Sequence, residues 1–198
     1  GWQRLAMKPL AHPGVLRAGS SALAVAQRLH LMPKRLGVSV ELPLRSAPMV
    51  ASGTDVYLFT GCVMDAWQRD VHRATQRVIE AAGFGVTPTA DLAPCCGALQ
   101  AHAGLTSDTR ALATTMMANL DAGPGPDPRP ILVDSAGCGA AMKDYGHLLG
   151  TPEAVAFSAR VFDVAEWLAP RIDRLPSAPP LDLRVAVMAL GTLFLAGL

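Results

Sequence analysis

The middle of the chain alternates short apolar runs with longer stretches of helical periodicity. Residues 56–59, 84–87 and 131–133 are rich in β-branched and aromatic residues, which predicts three short buried strands. Apolar residues at three- and four-residue spacing predict helices over the intervening and following stretches, which are 66–82, 106–120, 140–149 and 154–168. Strands separated by helices pair in parallel, so the predicted fold is α/β, a small mostly parallel sheet flanked by helices.

The residues before and between these elements predict their boundaries. Residues 14–31 have helical periodicity and end before Pro33, which predicts an N-terminal helical extension, and residues 34–54 contain two prolines and predict a linker or a strap. Asp65 is the predicted N-cap of the helix that follows the first strand, and Gly83 is its predicted terminator. The proline- and glycine-rich stretch 123–130 predicts a loop.

The composition narrows the classes of function. The chain has 198 residues, 51% of them hydrophobic, and 17 Lys and Arg balance 16 Asp and Glu, so a nucleic-acid partner is not expected. The sequence contains neither a glycine-rich phosphate loop nor a nucleophile elbow. Substrate chemistry is therefore expected to belong to another subunit.

The four cysteines carry the candidate chemistry. They lie beside glycine in three turns that follow predicted strands: Cys62, Cys95, Cys96 and Cys138. Parallel strands gather their carboxyl ends at one edge of a sheet, so these thiols are expected to converge there. Four thiolates match the ligand set of one 4Fe-4S cluster. Cys138 is expected just before a helix N-terminus, which would lower the pKa of its thiol.

Other interpretations of the same cysteines remain open on the residues alone. Zinc is the main rival metal, although structural zinc sites normally use Cys-x-x-Cys pairs that are absent here. A set of simply buried thiols is another alternative, and so is a disulfide between Cys62 and Cys138. A reducing, cytoplasmic location is expected, because four cysteines are too few for a disulfide-framed secreted domain of this length.

The cysteine segments also resemble a known family. Segments 60–65, 94–99 and 135–139 read TGCVMD, PCCGAL and SAGCG, and they are similar to the cysteine-rich "CCG" domain. This domain occurs in the glycolate oxidase iron–sulfur subunit, in the lactate-utilisation iron–sulfur protein and in one of the subunits of heterodisulfide reductase. The flanking stretches 98–104 and 138–147 most resemble the glycolate oxidase subunit.

The resemblance implies an electron-transfer subunit, itself not catalytic, of a flavin-linked 2-hydroxy-acid oxidase or dehydrogenase. Such a subunit relays electrons from a flavin-containing subunit toward a quinone, with peripheral membrane association through the complex. Cys62, Cys95, Cys96 and Cys138 are the expected ligands of its 4Fe-4S cluster. The alternative is a truncated, non-catalytic assembly fragment that carries zinc or no metal.

Departures from the family pattern shape the predicted organisation. Residues 1–54 form an N-terminal helix and linker, 55–170 the iron–sulfur domain, and 171–198 a linker and the start of a second repeat. Residues 188–194 of that repeat lack the expected cysteine, which suggests a truncated or frame-shifted continuation. Ala141 stands where heterodisulfide reductases have a further cysteine, so disulfide catalysis at this motif is not expected.

Other polar residues near the cysteine segments are weaker candidates. His102 is a candidate donor or ligand, although a surface position is favoured. Tyr145 and His147 are expected in core or surface positions rather than in the pocket. His72 and Lys143 are expected to be solvated.

Overall fold

The computed structural model describes residues 13–31, 42, 44, 47–93, 95–121 and 128–177. Most of the predicted loop at 123–130 and the predicted second repeat beyond residue 177 lie outside these residues. The described residues contain no helix that is long and apolar enough to cross a lipid bilayer.

Four parallel strands form the sheet. They are β1 (Val56–Phe59), β2 (Val86–Pro88), β3 (Ile131–Val133) and β4 (Val161–Asp163). The order across the sheet is β2-β1-β3-β4, and all three pairings are parallel. The chain therefore moves outward from β1 to β2 and then returns to the other side of β1. That reversal creates a crevice at the carboxyl ends of β1 and β3, the usual place for a functional site in such sheets.

Helices cover both faces of this sheet, which confirms the α/β prediction. After α1 (Pro13–Arg28), the helices are α2 (Val63–Trp67), α3 (Arg69–Ala81), α4 (Ala98–His102), α5 (Thr106–Leu120), α6 (Ala136–Lys143), α7 (Tyr145–Leu149), α8 (Pro152–Ala159) and α9 (Val164–Leu168). Short 3₁₀ turns occupy Ala90–Leu92 and Ala169–Arg174.

Alternate residues of the strands point into two cores. On one face, β1 contributes Tyr57 and Phe59 to a core built with α5, α6, α7 and α8. On the other face, Val56 and Leu58 pack with α3 and with Trp167 of α9. Strands buried on both faces read as continuous apolar runs, which explains why β1 and β3 are evident in the sequence.

Several predicted helices are divided in the structure. The helix predicted over 66–82 is α2 and α3, separated at Gln68, and Asp65 lies inside α2 rather than at its N-cap. The Asp65 carboxylate instead pairs with Arg69 one turn later, at 2.5 Å. The helix predicted over 154–168 is α8, the unpredicted strand β4 and α9. Gly83 follows the end of α3 with φ +88, as its predicted terminating role requires.

The N-terminal helix and the strap pack against the domain near its first cysteine turn. The Trp67 indole of α2 donates to Ser20 Oγ of α1 at 2.7 Å. The strap segment runs beside α3 and β2, where Arg69 donates to the Ala47 carbonyl and Ser52 Oγ accepts from Val86 N. These contacts fix α2, and thereby the turn that precedes it.

Candidate functional site

All four predicted site cysteines line one cavity. This cavity has a volume of about 350 Å³ and lies at the carboxyl edge of the sheet, in the crevice between β1 and β3. Cys62 follows β1, Cys95 and Cys96 follow the 3₁₀ turn after β2, and Cys138 lies after β3. The expected convergence of the three cysteine segments is therefore present in the fold.

The local backbone of these segments depends on glycine at two positions. Gly61 has φ +65 and lies against the Phe59 ring, and Gly97 has φ +80 at the start of α4. A side chain is disfavoured at positive φ, so glycine lets the chain turn sharply beside each cysteine. Cys138 differs from the prediction, because it lies within the first turn of α6 rather than in the loop before it.

The thiols form two hydrogen-bonded pairs. Cys62 Sγ and Cys95 Sγ lie 3.9 Å apart, and all four cysteines are free. The Cys95 thiol donates to Cys62, which lowers the pKa of Cys62 from 9.0 to about 7, against the opposing effect of burial. The same hydrogen bond, together with burial, raises the pKa of Cys95 well above its usual range. Cys62 is therefore the more acidic thiol of this pair.

Cys96 and Cys138 form the second pair, in which one pKa is again lowered and the other raised. A hydrogen bond from the Cys96 thiol lowers the pKa of Cys138, and Ser135 contributes a further hydrogen bond. The pKa of Cys96 is raised by that bond and by burial. In each pair, one thiol therefore has a lowered pKa and its neighbour a raised one. The pKa of Cys138 moves in the expected direction, and the largest cause is the hydrogen bond with Cys96.

Backbone groups also surround the sulfurs. The N–H of Gly97 donates to Cys95 Sγ at 3.5 Å, and the N–H groups of Val63 and Ala98 lower the pKa values of Cys62 and Cys96 respectively. Backbone N–H groups near sulfur stabilise negative charge there and tune a bound metal centre.

Tyr145 is hydrogen-bonded to the segment that contains Cys95 and Cys96. Its side chain is fully buried, and its hydroxyl donates to the Cys96 carbonyl at 2.7 Å. The expectation of a core position is correct for Tyr145. His147, by contrast, is exposed on α7 and is not among the residues that line the cavity.

His72 is a site residue that the sequence analysis placed wrongly. It is 1% exposed rather than solvated, and it lines the cysteine cavity. Its Nε2 lies 2.8 Å from the Thr60 carbonyl, and its Nδ1 lies 2.7 Å from Asp134 Oδ2. Helical periodicity places His72 on the inner side of α3, two turns before Ile79, a signal that could have indicated burial.

The remaining candidates divide between the cavity and the surface. His102 lines the cavity and is exposed to solvent, in agreement with the favoured surface position. Lys143 is exposed, as expected, and pairs with Glu166 at 2.5 Å. Lys143 therefore has a carboxylate partner of its own.

The donor set could hold an iron–sulfur cluster. Within the described part of the chain, no three His, Cys, Asp or Glu side chains are arranged to hold one metal ion. Cysteine thiolates are the usual ligands of iron–sulfur clusters, and each binds a separate iron of a cubane. Four cysteine sulfurs around one largely apolar cavity match that requirement.

Comparison with known proteins agrees with this geometry. Residues 56–143 match the family described as the cysteine-rich domain, CCG. The match begins at β1 and includes all four cysteines. The cysteines of the matched domain are thus the side chains that line the cavity.

Three relatives of the cysteine-rich domain are iron–sulfur or reductase subunits. The chain is 32% identical to the "probable glycolate oxidase iron-sulfur subunit" of Bacillus subtilis (strain 168) over 118 residues. The aligned region covers 57% of this chain and 26% of the relative. It is 32% identical over 127 residues to the glycolate oxidase iron-sulfur subunit of Escherichia coli (strain K12), which covers 63% and 30%. It is 33% identical over 134 residues to a subunit of the fumarate reductase (CoM/CoB) of Methanothermobacter marburgensis, which covers 67% and 24%.

The chain spans less than a third of the length of each of these relatives. No solved structure matches the chain at a significant level. The similarity therefore concerns the cysteine-rich domain, and the activity of a whole relative does not follow from it.

Proposed function

We propose that this chain is part of an iron–sulfur electron-transfer subunit of a flavin-linked 2-hydroxy-acid oxidase, with glycolate as the substrate class. Cys62, Cys95, Cys96 and Cys138 ligate one 4Fe-4S cluster. Electrons pass from a flavin-containing partner subunit to this site and onward toward a quinone. The observation that carries the proposal is the convergence of all four cysteines on one cavity.

The chain's own residues supply three requirements of such a site. The pKa values of Cys62 and Cys138 are lowered, which favours the thiolate form that binds iron. Cys95 and Cys96 must lose their protons on binding, which makes cluster loading release protons. A bound 4Fe-4S cluster supplies one-electron chemistry at a potential set by its surroundings.

Other residues shape those surroundings. The N–H groups of Val63, Gly97 and Ala98 face sulfur and offset negative charge. Apolar side chains, among them Phe59 and Leu99, line the cavity and limit the access of water. Both effects set how readily an electron is accepted.

The first test is spectroscopic. The chain is purified without oxygen, and its visible absorbance is recorded before and after reduction with dithionite. A 4Fe-4S site predicts a broad visible band that bleaches on reduction. Each of the four Cys→Ser variants should lose the band while keeping the far-UV circular dichroism of the parent, whereas Thr115→Ser on the exposed side of α5 should keep both. A band that survives in Cys95→Ser would remove Cys95 from the ligand set.

The second test addresses the electron donor. The loaded chain is mixed anaerobically with a purified flavin-containing 2-hydroxy-acid oxidase subunit, and glycolate or lactate is then added. Bleaching that requires both the flavin subunit and a hydroxy acid supports the proposed role. Bleaching by dithionite alone, with none by the flavin subunit, would keep the cluster but reject the partner.

A further inference from the structure

Two buried polar atoms without a partner lie in the same small network beside the cysteine cavity. Among the described residues, Thr60 Oγ1 and Asp134 Oδ1 are the buried side-chain oxygen and nitrogen atoms that make no hydrogen bond. Thr60 follows β1 and Asp134 follows β3, so both lie at the edge of the sheet where the cavity opens. Buried polar groups are nearly always paired, so unpaired ones next to a cavity indicate a missing partner.

His72 links these two residues. Its Nε2 donates to the Thr60 carbonyl, because a carbonyl oxygen can only accept, and its Nδ1 contacts Asp134 Oδ2. Thr75 Oγ1 donates to the same Asp134 oxygen at 3.0 Å. The network holds the end of β1 against the end of β3 and fixes the backbone of Thr60.

The backbone of Thr60 is also fixed from its other side. Its N–H donates to Thr89 Oγ1 at 3.2 Å, and the residue is 1% exposed. Both backbone groups of Thr60 are thus paired, while its hydroxyl, in a residue that lines the cavity, has no acceptor. The fold therefore fixes the backbone of Thr60, and the described protein atoms supply no acceptor for its hydroxyl.

We propose that Thr60 Oγ1 donates a hydrogen bond to a sulfur of the cluster bound in this cavity, and that His72 and Asp134 hold Thr60 in place for it. This inference rests on the proposed function. A cluster held by the four cysteines would bring inorganic sulfides into this cavity, and a sulfide accepts hydrogen bonds. The Thr60 hydroxyl, which has no partner, can supply one of those bonds.

The consequence is a higher reduction potential. Reduction adds negative charge to the cluster, and a hydrogen bond to sulfur stabilises that charge. Thr60 would donate to the cluster without ligating it, so loss of its hydroxyl should change the potential without removing the cluster.

The test replaces Thr60 by Val, which has the same shape and no hydroxyl. The 198-residue chain is purified anaerobically, its iron is measured, and its midpoint potential is determined by redox titration. Thr60→Val should keep the iron content and shift the potential to a more negative value. Thr60→Ser keeps a hydroxyl, so its potential should be close to that of the parent. Thr87→Val is the matched control, because Thr87 lies on β2 and its hydroxyl already donates to the Gly53 carbonyl. This variant should leave the potential unchanged.

A second readout uses the cluster-free chain. Removal of an unpaired buried hydroxyl should leave its urea midpoint unchanged or raise it. An unshifted potential in Thr60→Val, or a less stable cluster-free Thr60→Val, would overturn the inference, since the hydroxyl would then have its partner within the protein. Failure of the proposed cluster is distinguishable, because the parent chain would then contain no iron and no sulfide, and failure of the proposed electron donor is shown by the bleaching test with the flavin subunit.

Discussion

The hydrogen bond between Cys95 and Cys62 makes a quantitative prediction for the cluster-free chain. The two sulfurs lie 3.9 Å apart, and the Cys95 thiol is the largest cause of the lowered Cys62 pKa, which falls from 9.0 to about 7. Cys95→Ala removes this donor. Burial still raises the pKa of Cys62 and the nearby N–H groups still lower it, so we expect a value close to the ordinary one.

The expected change in reactivity combines two opposing effects. At pH 7 the thiolate fraction of Cys62 falls from about one half to about one hundredth, a loss of about fiftyfold, because only the thiolate attacks. The more basic thiolate is intrinsically more nucleophilic, and a Brønsted slope near ~0.45 over about two pKa units returns about eightfold. The loss of thiolate is larger than the gain in nucleophilicity, so Cys62 should react about sixfold more slowly in Cys95→Ala.

The assay uses Cys96→Ser/Cys138→Ser as the parent, so that Cys62 and Cys95 are the remaining thiols. Initial rates with an aromatic disulfide are recorded by stopped flow, without oxygen or metal, across the pH range that spans both pKa values. The parent should show a midpoint near pH 7 and its Cys95→Ala derivative a midpoint near pH 9. A midpoint that stays near pH 7 after the substitution would refute the assigned hydrogen bond.

Three further predictions concern the scaffold around the site, and urea denaturation of the cluster-free chain measures each. Tyr145→Phe leaves the buried carbonyl of Cys96 without its donor and should cost about 1–3 kcal/mol of unfolding free energy; an unchanged stability would mean that water replaces the hydroxyl. Gly97→Ala places a Cβ at φ +80, 3.3 Å from Thr109 Cγ2, and should cost about 1–3 kcal/mol, so a neutral result would argue against the left-handed backbone there. The Thr151 side chain is the N-cap of α8 and accepts a hydrogen bond from Ala154 N. Thr151→Ala should therefore cost about 1 kcal/mol of unfolding free energy, whereas Thr151→Ser should cost much less.

The central strands β1 and β3 and the edge strand β2 were predictable, and the edge strand β4 was not. Residues of β1 and β3 are buried on both sides, so their apolar runs are unmistakable. β4 has three residues, and only Val161 is fully buried, so helical periodicity on both sides concealed it. Short edge strands are defined by their pairing partner, here β3, more than by their own composition.

The positions of the cysteines could be predicted, but their pairing could not. Glycine turns after strands place the thiols at one edge of a parallel sheet by topology alone. Which sulfur donates to which depends on distances of a few ångströms between segments far apart in sequence. The same holds for His72 and Asp134, which are separated by 62 residues and meet only after α3 packs on the sheet.

The metal content of the anaerobically purified chain tests the central claim most directly. Iron and acid-labile sulfide are counted per chain, with zinc measured in the same sample. One cluster held by Cys62, Cys95, Cys96 and Cys138 predicts about four iron and about four sulfide per chain. One zinc without sulfide, or no metal at all, would contradict the account.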